Sequence, residues 1–238
     1  MCGFSTTRTT TAFVMEPYTA NCREICGRAD HVLVGVSPGN GYFTEQRLTD
    51  LLTWAGSVFA DVEAIVPDAS LVHTYQALGS DEASAWKEAR RQSRRTCRRI
   101  SRAWAAGGVP ERRQRIHLLS DFIDHPGYRR LRAEVDAALA QEPVFRQALF
   151  EATGRALSTR LHGAEPSLAQ IEEGVRYLTS EVPLCMDAPG ILGVPTSVNI
   201  YHQVLPTVPV MLGSQYLRVS PQQGFAVVRP AAETVGVL

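Results

Sequence analysis

The sequence predicts an α/β protein in which helices flank a parallel sheet in a doubly wound, Rossmann-type arrangement. Short apolar segments with strand character alternate along the chain with longer segments of helical periodicity. The first clear segment, His31–Val36, is almost continuously apolar, as strands buried on both faces are. A turn at Ser37–Gly41 and a helix-capping residue, Thr44, follow it directly, which favours a strand-to-helix connection.

In chain order, we expect strands at 31–36, 62–66, 115–119 and 199–205. The expected helices span 45–59, 84–105, 127–141, 143–161 and 166–182, the last ending before Pro183. Segments 208–212 and 225–228 are apolar without indicating which element they form. Because such sheets bind ligands at the carboxyl ends of their strands, we expect the site just after Gly35, Val66 and Leu119.

A chain of 238 residues, 45% of them hydrophobic, can build one large domain. We expect a single Rossmann-like catalytic domain over 29–238, preceded by a polar, flexible segment over 1–28. No apolar run reaches the length of a membrane span, and the N-terminus has no signal-peptide core. Five cysteines, an odd number, favour reduced thiols and a cytoplasmic location. Cys22, Cys26 and His31 are spaced too loosely to predict a metal site.

The predicted helix 84–105 carries a set of basic residues that we call the arginine stripe. Its members are Lys87, Arg90, Arg91, Arg94, Arg95, Arg98, Arg99 and Arg102. Only Glu88 opposes them within 87–102, so this segment has a net charge of +7, while the remaining 16 basic and 23 acidic residues give −7. Steps of three and four residues place the stripe on one face and apolar residues such as Trp86, Ile100 and Trp104 on the other. The stripe therefore predicts binding to a polyanion such as a nucleic-acid backbone.

The loop after the first strand contains a candidate nucleophile, Ser37. Gly35–Gly39 matches the G-x-S-x-G pattern of a nucleophile elbow. Such an elbow uses the backbone N–H after the serine in its oxyanion hole, and here Pro38 has none. Asn40 is an alternative donor, either to the serine loop or to a developing oxyanion. The loop matches neither the G-x-G-x-x-G nor the P-loop pattern, so it indicates no nucleotide cofactor.

Two further pairs of candidate residues lie in the second half of the chain. Tyr177 and Glu181 are four residues apart on a predicted helix, so they share a face that could bind an ammonium group, with Glu181 taking its proton. Tyr201 and His202 are neighbours on a predicted strand, so only one of them should face a given pocket. We expect Tyr201 to relay a proton and His202 to make structural hydrogen bonds.

These residues leave three function classes open. Serine, tyrosine and glutamate beside a phosphate-binding helix suit acyl transfer from an RNA-borne ester. A serine hydrolase built on Gly35–Gly39, with Asp187 and His202 completing a triad, predicts labelling by fluorophosphonates and no need for RNA. A non-catalytic RNA-binding Rossmann domain predicts that Ser37→Ala keeps full function.

The sequence resembles the cyclodipeptide synthases. The resemblance spans roughly 31–212 and rests on HVLVGVSPGN, the arginine stripe, RIHLLSDF, YLTSEVP with LCMDAPGI, and NIYH. Asn40 with Tyr201 and His202 is similar to the subfamily named for its Asn, Tyr and His. The resemblance implies a fold similar to the catalytic domain of class I tyrosyl- and tryptophanyl-tRNA synthetases. This chain shows neither of their ATP-binding patterns, of H-I-G-H and K-M-S-K-S type.

The resemblance implies a ping-pong reaction in which two aminoacyl-tRNAs give a cyclic dipeptide, a 2,5-diketopiperazine, without ATP, cofactor or metal. It also implies that Ser37 carries the first aminoacyl group and then the dipeptide. Tyr177 and Glu181 are expected to anchor the amine, and Tyr201 to relay protons. Asn40 and His202 are expected to support the geometry, and the arginine stripe to bind tRNA phosphates.

Residues near the strand ends are expected to line the pocket for the first amino acid. They are Leu33, Gly35, Ile65, Leu119 and Leu184. The resemblance implies that these positions tune the choice of that amino acid, and their mostly aliphatic character favours a small or medium side chain. We expect the protein to be a monomer.

Overall fold

Six strands form the central sheet of the computed structural model, which describes residues 13–231. They are β1 (Phe13–Pro17), β2 (His31–Gly35), β3 (Asp61–Val66), β4 (Ile116–Leu118), β5 (Ser197–Tyr201) and β6 (Gln223–Pro230). Their order across the sheet is β1-β6-β5-β2-β3-β4. β1 is antiparallel to β6, and all other neighbouring pairs are parallel. The sheet is therefore mixed, with the predicted parallel, Rossmann-type arrangement over β6 to β4.

The helices of the described residues pack on both faces of this sheet. They are α1 (Ala20–Arg28), α2 (Glu45–Val58), α3 (Leu71–Ala77), α4 (Glu82–Ala106), α5 (Pro126–Gln141), α6 (Pro143–Arg160), α7 (Leu168–Leu192) and α8 (Thr207–Leu212). Two 3₁₀ turns lie at Glu111–Arg113 and Leu119–Phe122. No helix within 13–231 is long and apolar enough to cross a membrane.

The alternation of side chains along β2 divides the core into two parts. Val32 and Val34 pack in a cluster with α2 and α4, whereas Leu33 packs in a second cluster with α5, α6 and α7. This is the two-residue period of a strand that is covered on both faces. The functional pocket described below opens on the face of Leu33.

Most of the expected elements are confirmed in place, including the strands near 31–36, 62–66 and 115–119. The Thr44 side chain caps α2 by accepting from the Arg47 backbone N–H at 3.1 Å. The expected helix 84–105 lies within α4, and the two at 127–141 and 143–161 correspond to α5 and α6. Segments 208–212 and 225–228 belong to α8 and β6.

The expectation of a flexible segment over 1–28 is wrong for 13–28. Residues 13–17 form an edge strand paired with β6, and the Thr19 side chain caps α1 by accepting from the Cys22 N–H at 3.1 Å. Phe13 packs against Trp54 with ring centroids 5.6 Å apart, and Ile25 is buried. These long-range contacts stabilise a segment whose polar composition does not predict a strand or a helix. Residues 1–12 lie outside the described part of the chain.

The structure corrects two further expectations and adds one helix that was not expected. The helix expected to end before Pro183 continues to Leu192 and is kinked at Asp187, where φ is −155° and ψ is 61°. Pro183 and the residues around it are buried, so packing outweighs the backbone hydrogen bond that a proline removes. The strand expected at 199–205 is β5, which starts two residues earlier and ends at Tyr201. The short helix α3 was missed, because its seven residues are too few to show a helical period.

Candidate active site

Ser37 lies in the loop that leaves the sheet at the carboxyl end of β2. The backbone turns sharply there, with the Asn40 N–H donating to the Ser37 carbonyl oxygen at 3.2 Å. Gly39 has a φ of 76°, a left-handed conformation that glycine adopts without strain. Pro38 is buried while Ser37 remains partly exposed. The turn therefore presents the serine hydroxyl at the edge where ligands bind in parallel sheets.

Hydrogen bonds join Ser37 to three of the other predicted residues. Ser37 Oγ lies 3.0 Å from the Tyr201 hydroxyl, to which Asn40 Nδ2 donates at 3.1 Å. Asn40 Nδ2 also lies 3.2 Å from His202 Nε2, and Asn40 Oδ1 accepts from the Tyr42 backbone N–H at 2.9 Å. The nitrogen and the oxygen of the Asn40 amide are both engaged, which fixes its orientation. Because Asn40 donates to the Tyr201 oxygen, the Tyr201 O–H can itself point to Ser37.

His202 lies just beyond the end of β5, so both it and Tyr201 reach Asn40. Of the two, Tyr201 lines the pocket beside Ser37 and His202 does not, which confirms the expectation that only one of them faces a given pocket. The His202 ring stacks on Tyr42 at a centroid distance of 4.0 Å and an interplanar angle of 13°. Phe43 packs edge-on against the same ring at 5.5 Å. These contacts immobilise the imidazole that helps to hold Asn40.

Tyr177 and Glu181 lie one turn apart on α7, as their spacing predicts. The Tyr177 hydroxyl interacts with the Glu181 carboxyl and with Ser37. Burial raises the pKa of Glu181 to about 7, against the lowering effect of its hydrogen bond with Tyr177. Burial, followed by the charge of Glu181, raises the pKa of Tyr177 well above its usual value. At neutral pH the tyrosine is thus a donor, and the carboxyl can both take up and release a proton.

A pocket lies between Ser37 and α7, and its volume is about 620 Å³ when the space at its opening is included. Its wall contains all five residues expected to line the first amino-acid pocket, namely Leu33, Gly35, Ile65, Leu119 and Leu184. Ser37, Glu181 and Tyr201 also line it. An aliphatic cavity that ends at a serine, a tyrosine and a carboxyl can hold an amino-acid side chain while its polar groups meet reactive atoms.

Sequence reasoning missed two polar residues of this pocket, Cys185 and Asn199. Asn199 Nδ2 donates to the Leu184 carbonyl at 3.2 Å, while Asn199 Oδ1 is buried without a hydrogen-bond partner. Burial, followed by the charge of Glu181, raises the pKa of the Cys185 thiol to about 12, so it stays protonated. The two-residue period that relates Asn199 to Tyr201 could have identified the first. Cys185 was hidden because the helix was expected to stop at Pro183.

The arginine stripe lies on the exposed face of α4, as predicted, with Ala89, Ile100 and Trp104 buried on the opposite face. Trp86 was expected on that opposite face but is partly exposed and lines the groove of the stripe. Six of its members line one open groove: Lys87, Arg90, Arg91, Arg94, Arg95 and Arg98. Only one acid, Glu88, lies among them, and it binds Arg91 through two hydrogen bonds of 2.7 and 2.6 Å. The groove therefore keeps a strong positive charge that suits phosphates.

The two remaining members of the stripe connect α4 to its neighbours. Arg99 Nη1 donates to the Phe43 carbonyl oxygen at 2.7 Å, and Arg102 Nε donates to Glu45 at 2.7 Å. Phe43 ends the loop that carries Ser37 and Asn40, so Arg99 holds this loop against α4. The structure thus gives Arg99 and Arg102 contacts within the protein that the sequence alone did not indicate.

The triad that a serine hydrolase needs is not formed. Ser37 Oγ bonds to a tyrosine hydroxyl, while His202 Nε2 lies against Asn40. Asp187 Oδ1 accepts from the Gly190 N–H inside the kink of α7. No imidazole therefore stands between the serine and a carboxylate, as a Ser-His-Asp mechanism requires.

No cluster of three His, Cys, Asp or Glu side chains within the described range is arranged to hold a metal ion. Cys22 and Cys26 are buried free thiols, and the Phe225 N–H donates to Cys22 Sγ at 3.3 Å. These two cysteines therefore pack in the core between α1 and the sheet.

The fold and the site together define a Rossmann-like enzyme with a serine at the edge of a largely apolar pocket and a basic helix. The chain belongs to the cyclodipeptide synthase family, whose model matches residues 13–230. This match includes β1, α1 and β6, which lie outside the span of roughly 31–212 expected from the motifs. The protein is an enzyme that forms cyclic dipeptides, and aminoacyl-tRNAs are the substrates that its family implies.

Several characterised proteins are similar to this chain over most of its length. The cyclo(L-leucyl-L-leucyl) synthase of Bacillus subtilis is 33% identical, over 98% of this chain and 96% of its own. The cyclo(L-tyrosyl-L-tyrosyl) synthase of Mycobacterium tuberculosis is also 33% identical, over 92% of this chain and 76% of its own. A solved Mycobacterium tuberculosis structure, which relates cyclodipeptide synthetases to type I tRNA synthetases, has a TM-score of 0.80 at 32% identity and covers 93% of this chain and 94% of its own.

Proposed function

We propose that this enzyme joins two aminoacyl-tRNAs by ping-pong acyl transfer through Ser37. The observation that carries the proposal is the position of Ser37 Oγ at the wall of the pocket, 3.0 Å from the Tyr201 hydroxyl. Ser37 Oγ attacks the ester carbonyl of the first aminoacyl-tRNA, and the bond to the tRNA ribose oxygen breaks. The serine proton goes to that leaving oxygen, which leaves an aminoacyl-Ser37 ester and an uncharged tRNA.

The second step uses the amine of the enzyme-bound aminoacyl group. Tyr177 and Glu181 bind this group as an ammonium, and Glu181, with a pKa of about 7, takes one of its protons. The neutral amine attacks the ester of the second aminoacyl-tRNA and forms a peptide bond. The tRNA ribose oxygen leaves with a proton, and a dipeptide remains esterified to Ser37. The ester substrates are already activated, so this step needs no ATP.

The third step closes the ring and regenerates the enzyme. The free amine of the dipeptide attacks the Ser37 ester, and Ser37 Oγ leaves. Tyr201 delivers a proton to this oxygen and recovers one from the attacking amine. Burial raises the pKa of Tyr201, which keeps its hydroxyl protonated between turnovers. Asn40 and His202 hold Tyr201 in place through the hydrogen bonds described above, and the product is a 2,5-diketopiperazine.

The pocket proposed for the first amino acid has aliphatic walls and one unpaired acceptor, Asn199 Oδ1. The pocket walls are aliphatic, which supports a first amino acid whose side chain has a small or medium apolar portion. These walls are formed by Leu33, Ile65, Leu119 and Leu184. A buried acceptor without a partner is unfavourable unless the ligand donates to it. We therefore infer that the preferred first side chain carries a hydrogen-bond donor beyond its apolar portion.

Expression in bacteria, followed by mass spectrometry of the medium, tests the reaction and the nucleophile together. A new diketopiperazine is expected from the wild type and from a control, Ser57→Ala, whose serine is exposed at the end of α2. Ser37→Ala should form none, and purified wild type mixed with aminoacyl-tRNA should gain the mass of one aminoacyl group on Ser37. Full product formation by Ser37→Ala would contradict the proposed covalent mechanism and favour the RNA-binding alternative.

The docking of tRNA on the arginine stripe is tested by its salt dependence. The triple variant Arg94→Ala, Arg95→Ala, Arg98→Ala removes three exposed cations, and Arg130→Ala on α5 is the control. Each lost phosphate contact should reduce the slope of log affinity against log salt by roughly 0.7–0.9. The slope should be unchanged in the control. An unchanged slope in the triple variant would exclude this face as the tRNA site.

The proposal also retains a single catalytic domain, a monomer and a cytoplasmic location. Gel filtration of the purified protein tests the oligomeric state, and an elution volume of a dimer would contradict it. Catalysis without metal or other cofactor predicts that a chelator such as EDTA leaves product formation unchanged.

A further inference from the structure

We propose that Trp86 is a stacking platform for an unpaired nucleobase at the acceptor end of the aminoacyl-tRNA. This inference rests on the proposed function, because it concerns how the same substrate reaches Ser37. Three features carry it: the meeting of surface grooves at Trp86, the packing beneath its ring, and the arginines beside it.

Three surface grooves share Trp86 as part of their walls. The first is the groove of the arginine stripe. The second runs over the carboxyl ends of β3 and β4, past Asp68 and Ser120. The third lies between α3, α5 and α7 and includes Leu119, which also lines the pocket beside Ser37. Trp86 thus stands where the phosphate-binding face meets the approach to the catalytic pocket.

The inner side of the Trp86 ring is fixed by packing. It lies against a small buried cluster that contains Leu71 and Val72 of α3, and Tyr177 of α7 packs against the same cluster. Tyr177 in turn interacts with Ser37. The cluster that supports Trp86 is therefore also contacted by a residue of the proposed site. A ring that is already held in place loses little conformational entropy when a base stacks on it.

The outer side of the ring is partly exposed and flanked by cations. The Arg90 guanidinium lies over this ring, 5.6 Å from its centre, so a base stacks there by taking the place of that exposed cation. Arg90 and Arg94 line both the first and the second groove. An aromatic face beside arginines is the arrangement with which proteins bind single-stranded nucleic acid, since the ring takes a base and the arginines take the flanking phosphates.

The chemistry of the substrate fits such a contact at this place. The aminoacyl ester is carried at the end of a single strand, which must leave the base-paired stem to bring the ester to Ser37. A stem bound along the arginine stripe would send this strand past the junction at Trp86. Stacking there would hold the strand without reading its sequence, because every base has a π-face.

The variants Trp86→Leu and Trp86→Phe separate stacking from packing. Leucine keeps an apolar side chain against α3 but removes the aromatic face, while phenylalanine keeps a smaller one. Trp54→Leu on α2, which packs against Phe13, is the control for loss of a partly exposed tryptophan. KM and kcat are measured with aminoacyl-tRNA, and acylation of Ser37 is measured separately with an RNA-free activated aminoacyl ester.

Trp86→Leu should raise KM for aminoacyl-tRNA by about 5- to 150-fold, the range that corresponds to loss of one stacked base. The kcat value and the acylation by the RNA-free ester should change little, Trp86→Phe should recover much of the affinity, and the control should match the wild type. A minihelix with 2-aminopurine in its unpaired end should lose fluorescence on binding to the wild type but not to Trp86→Leu.

Two results would overturn the inference while the proposed function stands. One is an active wild type whose KM is unchanged by Trp86→Leu. The other is an equal loss with aminoacyl-tRNA and with the RNA-free ester, which would give Trp86 a purely structural role. A wild type that forms no diketopiperazine from aminoacyl-tRNA would instead contradict the proposed function, and the stacking proposal with it.

Discussion

Glu181→Gln tests the buried carboxyl on which the amine chemistry depends. Burial raises the pKa of Glu181 from 4.5 to about 7. A folded-state pKa above the unfolded value means that the folded protein holds the proton more tightly, so this group's stabilisation is present below pH 4.5 and is lost as the pH rises through 7. At 1.36 kcal/mol per pH unit, the difference amounts to about 3 kcal/mol.

Glutamine has nearly the same shape and carries no charge at any of these pH values. The variant should therefore be more stable than the wild type at pH 8, by up to about 3 kcal/mol, and should differ little at pH 4.5. Urea unfolding followed by circular dichroism at both pH values measures this. The same substitution removes the proposed base, so it should abolish product formation and leave the chain folded.

The pH dependence of product formation gives an independent measurement. In the wild type the rate should rise with pH and level off above about pH 7, as Glu181 becomes a carboxylate. Stability curves of the wild type and Glu181→Gln that run parallel between pH 4.5 and 8 would refute the argument from burial. A rate in the variant that still rises through pH 7 would refute the assignment of Glu181 as the base.

Three further predictions follow from single residues. Tyr201→Phe removes the hydroxyl that bonds to Ser37, so product formation should fall by roughly 10²- to 10⁴-fold. Acylated enzyme should accumulate in intact-protein mass spectra, and an unchanged rate would contradict the proton relay through Tyr201. Asn199→Leu should shift the cyclic dipeptides towards purely apolar first residues, as seen by mass spectrometry, and an unchanged product spectrum would remove Asn199 from substrate choice. The hydrogen bond from His117 Nε2 at 2.6 Å, together with the His31 ring whose Nε2 lies 3.6 Å away, lowers the pKa of Glu63 to about 2. This carboxylate therefore stabilises the fold by about 3 kcal/mol above pH 4.5 and loses that effect as the pH falls to 2. In urea titrations, the free energy of unfolding of Glu63→Gln should therefore fall less between pH 5 and 3 than that of the wild type. Parallel curves of unfolding free energy against pH for the two proteins would contradict this.

Local spacing was enough to predict much of the site. The loop with Ser37 follows a strand whose apolar character is plain, and Tyr177 and Glu181 are separated by one helical turn. The arginine stripe repeats with the period of a helix, so its exposed face on α4 could be placed before any tertiary contact was known. Such patterns depend only on the backbone geometry of a few consecutive residues, and this geometry is the same in every helix and strand.

Other features arise from contacts between distant parts of the chain. The edge strand β1 depends on pairing with β6, which lies more than 200 residues later in the chain. The polar residues around β1 gave no local pattern that predicts a strand. Pro183 would end an isolated helix, yet α7 continues because the surrounding residues are buried against the sheet. The error over α7 also hid Cys185 from the predicted pocket.

The sequence by itself determined the class of protein, the candidate nucleophile and the basic helix, because each follows from the residue types and spacing within short segments. Tertiary structure alone decided how these parts act on one another. Ser37 meets Tyr201 across 164 residues of chain, and Trp86 meets the approach to the pocket only because α3 brings α4 and α7 together. The pKa of Glu181 is likewise a property of burial, which no local pattern measures, since removing a carboxyl from water requires the whole fold around it.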